Sequence, residues 1–230
     1  MAQITIHLVR HSKVDGHKGD VPLADDAGQY IDAAAAYVAS LAVSGEQIAF
    51  LATQTRRTRD TAQGLRDRLQ GRSLGLSLGE VRQEYAIRNP DLYLAGHRVE
   101  MVSTGAAMAA QLPEGLLTGT QVEATAFYAD FFRAPDRIEH WLRHDNPPGE
   151  DATAVARRIV QFCKSLGDAD TAHDLRVIAV SHSPVMRAVL VHFMGLADPG
   201  EPDWVEPIDI ILIKDGGSIR FRDTTKPLTI

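Results

Sequence analysis

With 230 residues, 44% hydrophobic and 23% charged, the chain is long enough for one large domain with a sizeable core and too apolar to be disordered. A formal net charge of -6 argues against a nucleic-acid partner, which calls for a basic face, but leaves room for a small phosphorylated ligand held by a local group of cations. The single cysteine, Cys163, permits no intrachain disulfide. The sequence shows no basic-then-apolar leader and no membrane-length apolar run, so the expected setting is cytoplasmic, with no membrane partner.

The chain opens with Ile4-Thr5-Ile6-His7-Leu8-Val9, a β-branched apolar run that reads as a buried strand and exits abruptly into Arg10-His11-Ser12. Asp25 or Asp26 is placed to cap a helix from Gln29 to about Val43. A second buried strand, Gln47 to Ala52, runs into a polar stretch and a helix reaching about Leu69. That stretch holds Arg56, Arg57 and Arg59, of which Arg56 and Arg59 read as a solvated face. A third strand is expected over Leu76–Glu84, weakened by Gly75 and Gly79. Strand, helix, strand, helix favours a parallel sheet with right-handed crossovers, whose ligand crevice lies at the carboxyl ends of the strands.

From Ile87 to Asn146 the pattern is less regular. Helices are expected over Glu100–Gln111, Gln121–Phe132 and Asp136–Arg143, with the aromatic group Phe127, Tyr128, Phe131, Phe132 and Trp141 packing them together. Glu150 or Asp151 then opens a helix with Val155, Ile159, Phe162 and Leu166 on one face, in which Cys163 is a small core residue. The clearest strand, Arg176 to Val180, exits into Ser181-His182-Ser183-Pro184, and a helix follows over Val185–Phe193 with Ser183 as its cap. Pro207 to Ile213 and Ser218 to Phe221 close the chain as a β-hairpin or edge.

Of nine histidines, His11 and His182 stand apart, each just past a buried strand. His7 and His192 lie inside elements and read as structural groups. Two such histidines with arginines suit phosphoryl transfer. One imidazole attacks phosphorus, guanidinium forks and the second imidazole offset the charge, and a carboxylic acid serves the leaving oxygen. Zinc or iron on two histidines and a carboxylate is the rival chemistry, and Arg10 and Arg57 would repel a dication. A serine-hydrolase elbow, a dinucleotide-binding glycine loop and a Walker loop are all missing from the sequence.

These residues resemble the histidine phosphatase superfamily, the phosphoglycerate mutase-like proteins. Leu8-Val9-Arg10-His11-Ser12 is similar to the family's Arg-His-Gly motif. Asp20-Val21-Pro22-Leu23 with Gly28, Thr53 to Ala62 with Arg57, Pro147-Pro148-Gly149-Glu150, and Val177 to Leu190 with Ser181-His182 are similar to four later segments in the family's order. The resemblance implies one domain over 1–230, a three-layer α/β sandwich with a mostly parallel central sheet flanked by helices, and a divergent helical insert at about 87–146. It also implies metal-independent phosphomonoesterase chemistry on a small phosphorylated metabolite, with no cofactor and His11 as the phosphorylated nucleophile. His182 would join it in catalysis, with Arg10, Arg57, His17 and Ser183 around the phosphate. Glu84 is the nearest match to the family's proton donor and Asp91 the second candidate.

Three departures stand out. Ser12 replaces the family's Gly, and a strained turn there would cost about 1 kcal/mol. Ser183-Pro184 replaces Gly-Gly, and the family's glycine-tryptophan-glutamate-glycine stretch is not recognisable. The alternatives carried forward are a phosphoglycerate mutase, a catalytically weak phospho-ligand binding protein, and a phosphatase of phosphohistidine on a partner protein. The substrate is not legible in the sequence, nor is the oligomeric state, with a homodimer carried as one option.

Overall fold

The computed structural model describes residues 3–16, 20–72, 74–168, 173–195, 197–213 and 216–228. Among these residues, nine strands and eight helices follow in the order β1 (Ile4–Arg10), α1 (Gly28–Leu41), β2 (Gln47–Ala52), α2 (Arg56–Gln70), β3 (Ser77–Gln83), β4 (Leu92–Leu94), β5 (His97–Val99), α3 (Gly105–Ala109), α4 (Gly119–Glu123), α5 (Ala126–Arg133), α6 (Arg137–Arg143), α7 (Ala152–Gly167), β6 (Leu175–Ser181), α8 (Ser183–Met194), β7 (Pro207–Ile213), β8 (Gly216–Phe221) and β9 (Thr224–Leu228). Seven strands form one mixed sheet in the order β3-β2-β6-β1-β7-β8-β9. The first four are parallel to one another and the last three extend the sheet antiparallel from β1. Among the described residues, no helix is long and apolar enough to cross a membrane.

Period-two alternation sends the strands' apolar residues to two cores. On one face Val9, Phe50, Ile178 and Val180 pack against Ile31, Ala35 and Val38 of α1 and Leu65 and Leu69 of α2. On the other, Ile4, Ile6, Leu8, Val177 and Ala179 meet Val155, Ile159 and Cys163 of α7 and most of α8. Helix α8 is buried on nearly every side, from Ser183 to Leu190, which explains a sequence apolar all round rather than striped. The result is the expected three-layer sandwich. Cys163 is buried, and burial pushes its thiol pKa up to about 12, so it is a packing residue and no nucleophile.

The aromatic group packs as a core. Tyr128, Phe131 and Trp141 are buried, and Phe127 and Phe131 stack with centroids 5.8 Å apart. The helical boundaries around them differ from the sequence expectation. The helix expected over 100–111 shrinks to α3, because Thr104 caps it by accepting from the Ala107 N–H. The helix expected over 121–132 becomes two. A Thr118–Gln121 capping box starts α4, and the extended backbone of Thr125 separates it from α5. Helices α3 and α4 pass so closely that a Cβ on Gly105 would lie 2.6 Å from the Gly119 carbonyl oxygen, so only glycine fits. The β4–β5 hairpin was not expected. It turns through Ala95 and Gly96, both left-handed, and Ala-Gly is a weak turn signal. Strand β9 also escaped the sequence reading. The helix caps differ as well. α1 starts at Ala27 with no side-chain cap rather than at Asp25 or Asp26, and α8 is capped by His182, with Ser183 its first helical residue.

His7 is structural, as expected. Its Nδ1–H donates to Asp209 at 2.7 Å and its Nε2 accepts from Arg176 at 2.7 Å, while Arg176 also donates to Glu46 at 3.1 Å. Tyr37 and Arg220 complete the shell of Asp209, each at 2.5 Å. Burial alone would raise the Asp209 pKa. The hydrogen bonds from His7, Tyr37 and Arg220 outweigh it and lower the value from 3.8 to about 2. A carboxylate depressed on folding contributes stability above its unfolded pKa and loses it as pH falls through the folded one. Wild type should therefore lose about 2 kcal/mol more than Asp209→Asn between about pH 4 and pH 2. Urea unfolding at the two pH values checks this, and equal losses would remove Asp209 as an acid-sensitive group.

Candidate active site

The parallel strands β1 and β6 are in register from Ile4–Leu175 to Arg10–Ser181, so both leave the sheet at the same edge. The His11 N–H donates to the Ser181 carbonyl at 3.0 Å, which carries the pairing one step past the strands. The two imidazoles therefore converge, with ring centroids 5.5 Å apart in an edge-to-face arrangement. Strand β2 exits beside them into Thr53, and the first turn of α2 supplies Arg57.

The tautomer of His11 follows from its partner. Its Nδ1 lies 2.8 Å from the Ser12 carbonyl, which can only accept, so Nδ1 carries the proton and Nε2 the lone pair of the neutral ring. His182 is held from two sides. Arg57 donates to its Nδ1 at 3.4 Å, and its Nε2 lies 3.1 Å from Thr53 Oγ1. Thr53 is itself fixed in a buried hydroxyl group with Thr55 and Thr58. The Ser12 departure costs no strain. Ser12 is not among the described residues with left-handed backbone, its N–H donates to Thr61 at 2.9 Å, and its hydroxyl donates to the Ala27 carbonyl at 2.9 Å. A side chain that would be surplus in place of glycine instead ties the His11 loop to the start of α1.

Arg10, His11, Arg57, His182 and Ser183 all line one cavity of about 400 Å³. Burial lowers the pKa of both Arg10 and Arg57, with Glu201 and Glu100 respectively opposing the shift. The Nε groups of both arginines and the Ser183 hydroxyl are buried with no hydrogen-bond partner among the described residues, as is the Nε of Arg137, which lines the same cavity. Desolvated cations with unspent donors, at the N-terminus of α8, form a receptor for an anion with several oxygens. Arg56 and Arg59, read as a solvated face, are indeed half exposed and paired to Asp60 and Asp20.

The carboxylates lie less simply. Glu84 sits just past β3 as the cap of a 3-10 turn, accepts the Ala86 N–H at 2.9 Å, and is not among the cavity-lining residues. Asp91 is not in the cavity either. It is clamped by Arg88 and Arg98, which outweigh burial and lower its pKa. His17 lies outside the described residues. The carboxylates that do line the cavity are Asp136 and Glu201. Burial raises Asp136, but Arg187 and the first turn of α6 outweigh it and hold the carboxyl below its usual range. Among the described residues no three His, Cys, Asp or Glu side chains gather as a metal-binding group.

Several residues in the pocket or supporting it were missed from sequence. Arg187, fully buried on α8, binds Asp136 at 2.7 Å, Asp198 at 2.8 Å and Glu201 at 3.6 Å. Glu201 in turn pairs with Arg10 at 3.1 Å, and Trp204 lies under the Arg10 guanidinium at 3.6 Å. The signal for Arg187 was present, since it completes the family's S-H-G-G-x-x-R pattern. Asn89, Arg137, Glu201 and Trp204 lie in segments whose spacing carries no such pattern.

Residues 99–205 match the family model described as histidine phosphatase superfamily (branch 1). No curated protein matches the chain. Among solved structures, "Mycobacterial hydrolase 2" is 19% identical over 100% of this chain and 94% of its own, with a TM-score of 0.57. A mycobacterial glucosyl-3-phosphoglycerate phosphatase in complex with VO3 is 16% identical over 91% and 92%, TM-score 0.52. A phosphoglycerate mutase from Bacillus anthracis str. Sterne is 12% identical over 92% and 88%, TM-score 0.55. The resemblance seen in sequence thus holds, and the fold is phosphoglycerate mutase-like. The superfamily and these neighbours include phosphatases and a mutase.

Arg57→Ala should weaken binding of inorganic phosphate by about 1.5–3 kcal/mol, the usual worth of a hydrogen bond to a charged group. Calorimetric titration measures it, and unchanged affinity would take Arg57 out of the anion receptor.

Proposed function

We propose that this chain, with its histidine phosphatase match and its phosphoglycerate mutase-like fold, is a metal-independent phosphomonoesterase of small phosphorylated metabolites that works through phospho-His11. The observation that carries the reading is the pairing of a defined His11 tautomer with the convergent cations of one cavity. The Nε2 lone pair attacks phosphorus and the bond to the alcohol oxygen breaks. Arg10, Arg57 and His182 hold the phosphoryl oxygens as their charge redistributes. Water then attacks phosphorus, the P–N bond breaks, and its electrons return to Nε2, releasing inorganic phosphate. The Ser12 carbonyl supports both steps by keeping the proton on Nδ1 as the ring gains and loses positive charge.

The leaving oxygen needs a proton, and the same group must later take one from water. We assign this to Glu84 from its place at the β3 exit, at the sheet edge that carries His11 and His182. In this structure its carboxylate is turned to the Ala86 N–H, so a side-chain rotation toward the cavity is part of the proposal. Glu201 is the competing group because it lines the cavity. A general acid matters most for poor leaving groups. Loss of the true donor should slow alkyl phosphate hydrolysis by about 10²–10⁴-fold and p-nitrophenyl phosphate hydrolysis far less. Glu84→Gln should show that leaving-group dependence and Glu201→Gln should not. The reverse result would move the role to Glu201.

A mutase or a binding role would share the fold, and no specific feature of the cavity favours either. With p-nitrophenyl phosphate, wild type should turn over equally with and without EDTA, and His11→Ala should be inactive. Rapid acid-free quenching should trap an acid-labile phosphoryl group on wild type alone. A folded wild type inert across phosphomonoesters would overturn the enzyme reading.

A further inference from the structure

A second cavity, of about 690 Å³, adjoins the anion cavity, and Arg57, Met101 and Val102 line both. Its size falls in the range of roughly 300–1,000 Å³ usual for small-molecule sites. Its character differs from that of its neighbour. Ala106, Ala107 and Ala110 join Met101 and Val102 in an apolar wall, and among the described lining residues the ionised groups besides Arg57 are Asp20 and Glu100. The first cavity adds Arg10 and Arg137 to Arg57 against the carboxylates of Asp136 and Glu201, whereas among its described lining residues the second adds only carboxylates.

Glu100 has a further role. Its carboxylate receives Gln54 Nε2 at 3.1 Å, Asn89 Nδ2 at 3.2 Å and Arg98 at 3.4 Å. A carboxylate can only accept, so both amides turn their NH2 groups toward it. Their carbonyl oxygens, Gln54 Oε1 and Asn89 Oδ1, are left buried with no donor among the described residues. Gln54 lines the second cavity and Asn89 the first. Two orphaned buried acceptors on one carboxylate call for donors from outside the chain.

We propose that the second cavity receives the alcohol half of the phosphomonoester and selects an uncharged, hydroxyl-bearing alcohol. Glu100 is the positioning residue that sets Gln54 and Asn89 as acceptors for it. This rests on the phosphatase reading, which places the phosphate beside Arg57. The bound alcohol donates hydroxyl protons to the two amide oxygens and lays its C–H surface on the alanine wall. A second anionic group on the substrate meets Asp20 and Glu100, and Arg57, the one cation among the described lining residues, is committed to the phosphate.

Matched esters test it: glycerol 1-phosphate against 3-phosphoglycerate, and glucose 6-phosphate against 6-phosphogluconate, with p-nitrophenyl phosphate reporting the phosphoryl step. In each pair wild type should prefer the uncharged ester by about tenfold or more in kcat/KM. In Glu100→Gln the preference should fall to about threefold or less, and a merely structural loss would lower both members together and leave the ratio intact. Equal or better turnover of the carboxylate-bearing esters by wild type overturns the subsite, as does an unchanged ratio in the variant. So does turnover of p-nitrophenyl phosphate with neither pair hydrolysed, and in all three cases the phosphatase reading stands. Failure on p-nitrophenyl phosphate itself, with no phosphoryl group on His11, overturns that reading and the subsite with it.

Discussion

The site depends on the parallel pairing of β1 with β6. The two strands lie more than 160 residues apart in sequence, yet their register runs unbroken from Ile4–Leu175 to Arg10–Ser181. It continues through the His11 N–H to the Ser181 carbonyl. No local preference could bring the two imidazoles within 5.5 Å of each other; the ladder does so by ending both strands at one edge. Everything else in the cavity is placed relative to that edge. β2 lies on the far side of β6 and delivers Thr53 and Arg57, while β7 opens the antiparallel half of the sheet beyond β1.

Holding desolvated guanidinium groups in a fold is costly, and the chain offsets the cost with two devices. Arg187 binds the carboxylates of Asp136, Asp198 and Glu201, which draws the start of α6 and the 198–204 loop against α8. Glu201 and Trp204 of that loop then hold Arg10 by charge and by its ring face. Neither device saturates the arginines, since their Nε groups stay without partners among the described residues. A pocket fully satisfied by its own side chains would have little left with which to bind an anion. Here donors are left unspent among the described residues.

The sheet, the four strand exits and the central histidines were legible because they rest on period-two alternation, abrupt polar exits and short motifs with mechanisms behind them. Gln47–Ala52 was placed to the residue, and Arg10, His11, Arg57, His182 and Ser183 share one cavity as expected. What escaped the sequence depends on tertiary contact. The β4–β5 hairpin turns on Ala95-Gly96, the α3–α4 crossing on a backbone approach between Gly105 and Gly119, and the Glu100 group on residues from three separate segments. Glu84 shows the limit of motif spacing. A short pattern located a carboxylate at the right strand exit but carried no information about its rotamer, and the structure turns it to its own backbone.

The buried polar chain through Glu46, Arg176, His7 and Asp209 has a consequence for specificity of folding. His7 is the lone imidazole on a strand whose alternate residues are isoleucine and leucine, and it is held from both neighbouring strands at once, by Arg176 of β6 and Asp209 of β7. Slipping β1 by one position would drive His7 into the apolar core and put an isoleucine among four ionised groups. Such a slip would leave those buried charges without their partners, a cost that penalises the misaligned register. His11 lies four residues further along the same strand direction, roughly 13 Å away. The position of His11 is thus indexed by a lock at a distance from the cavity, much as a key's bow fixes where its bit will stand.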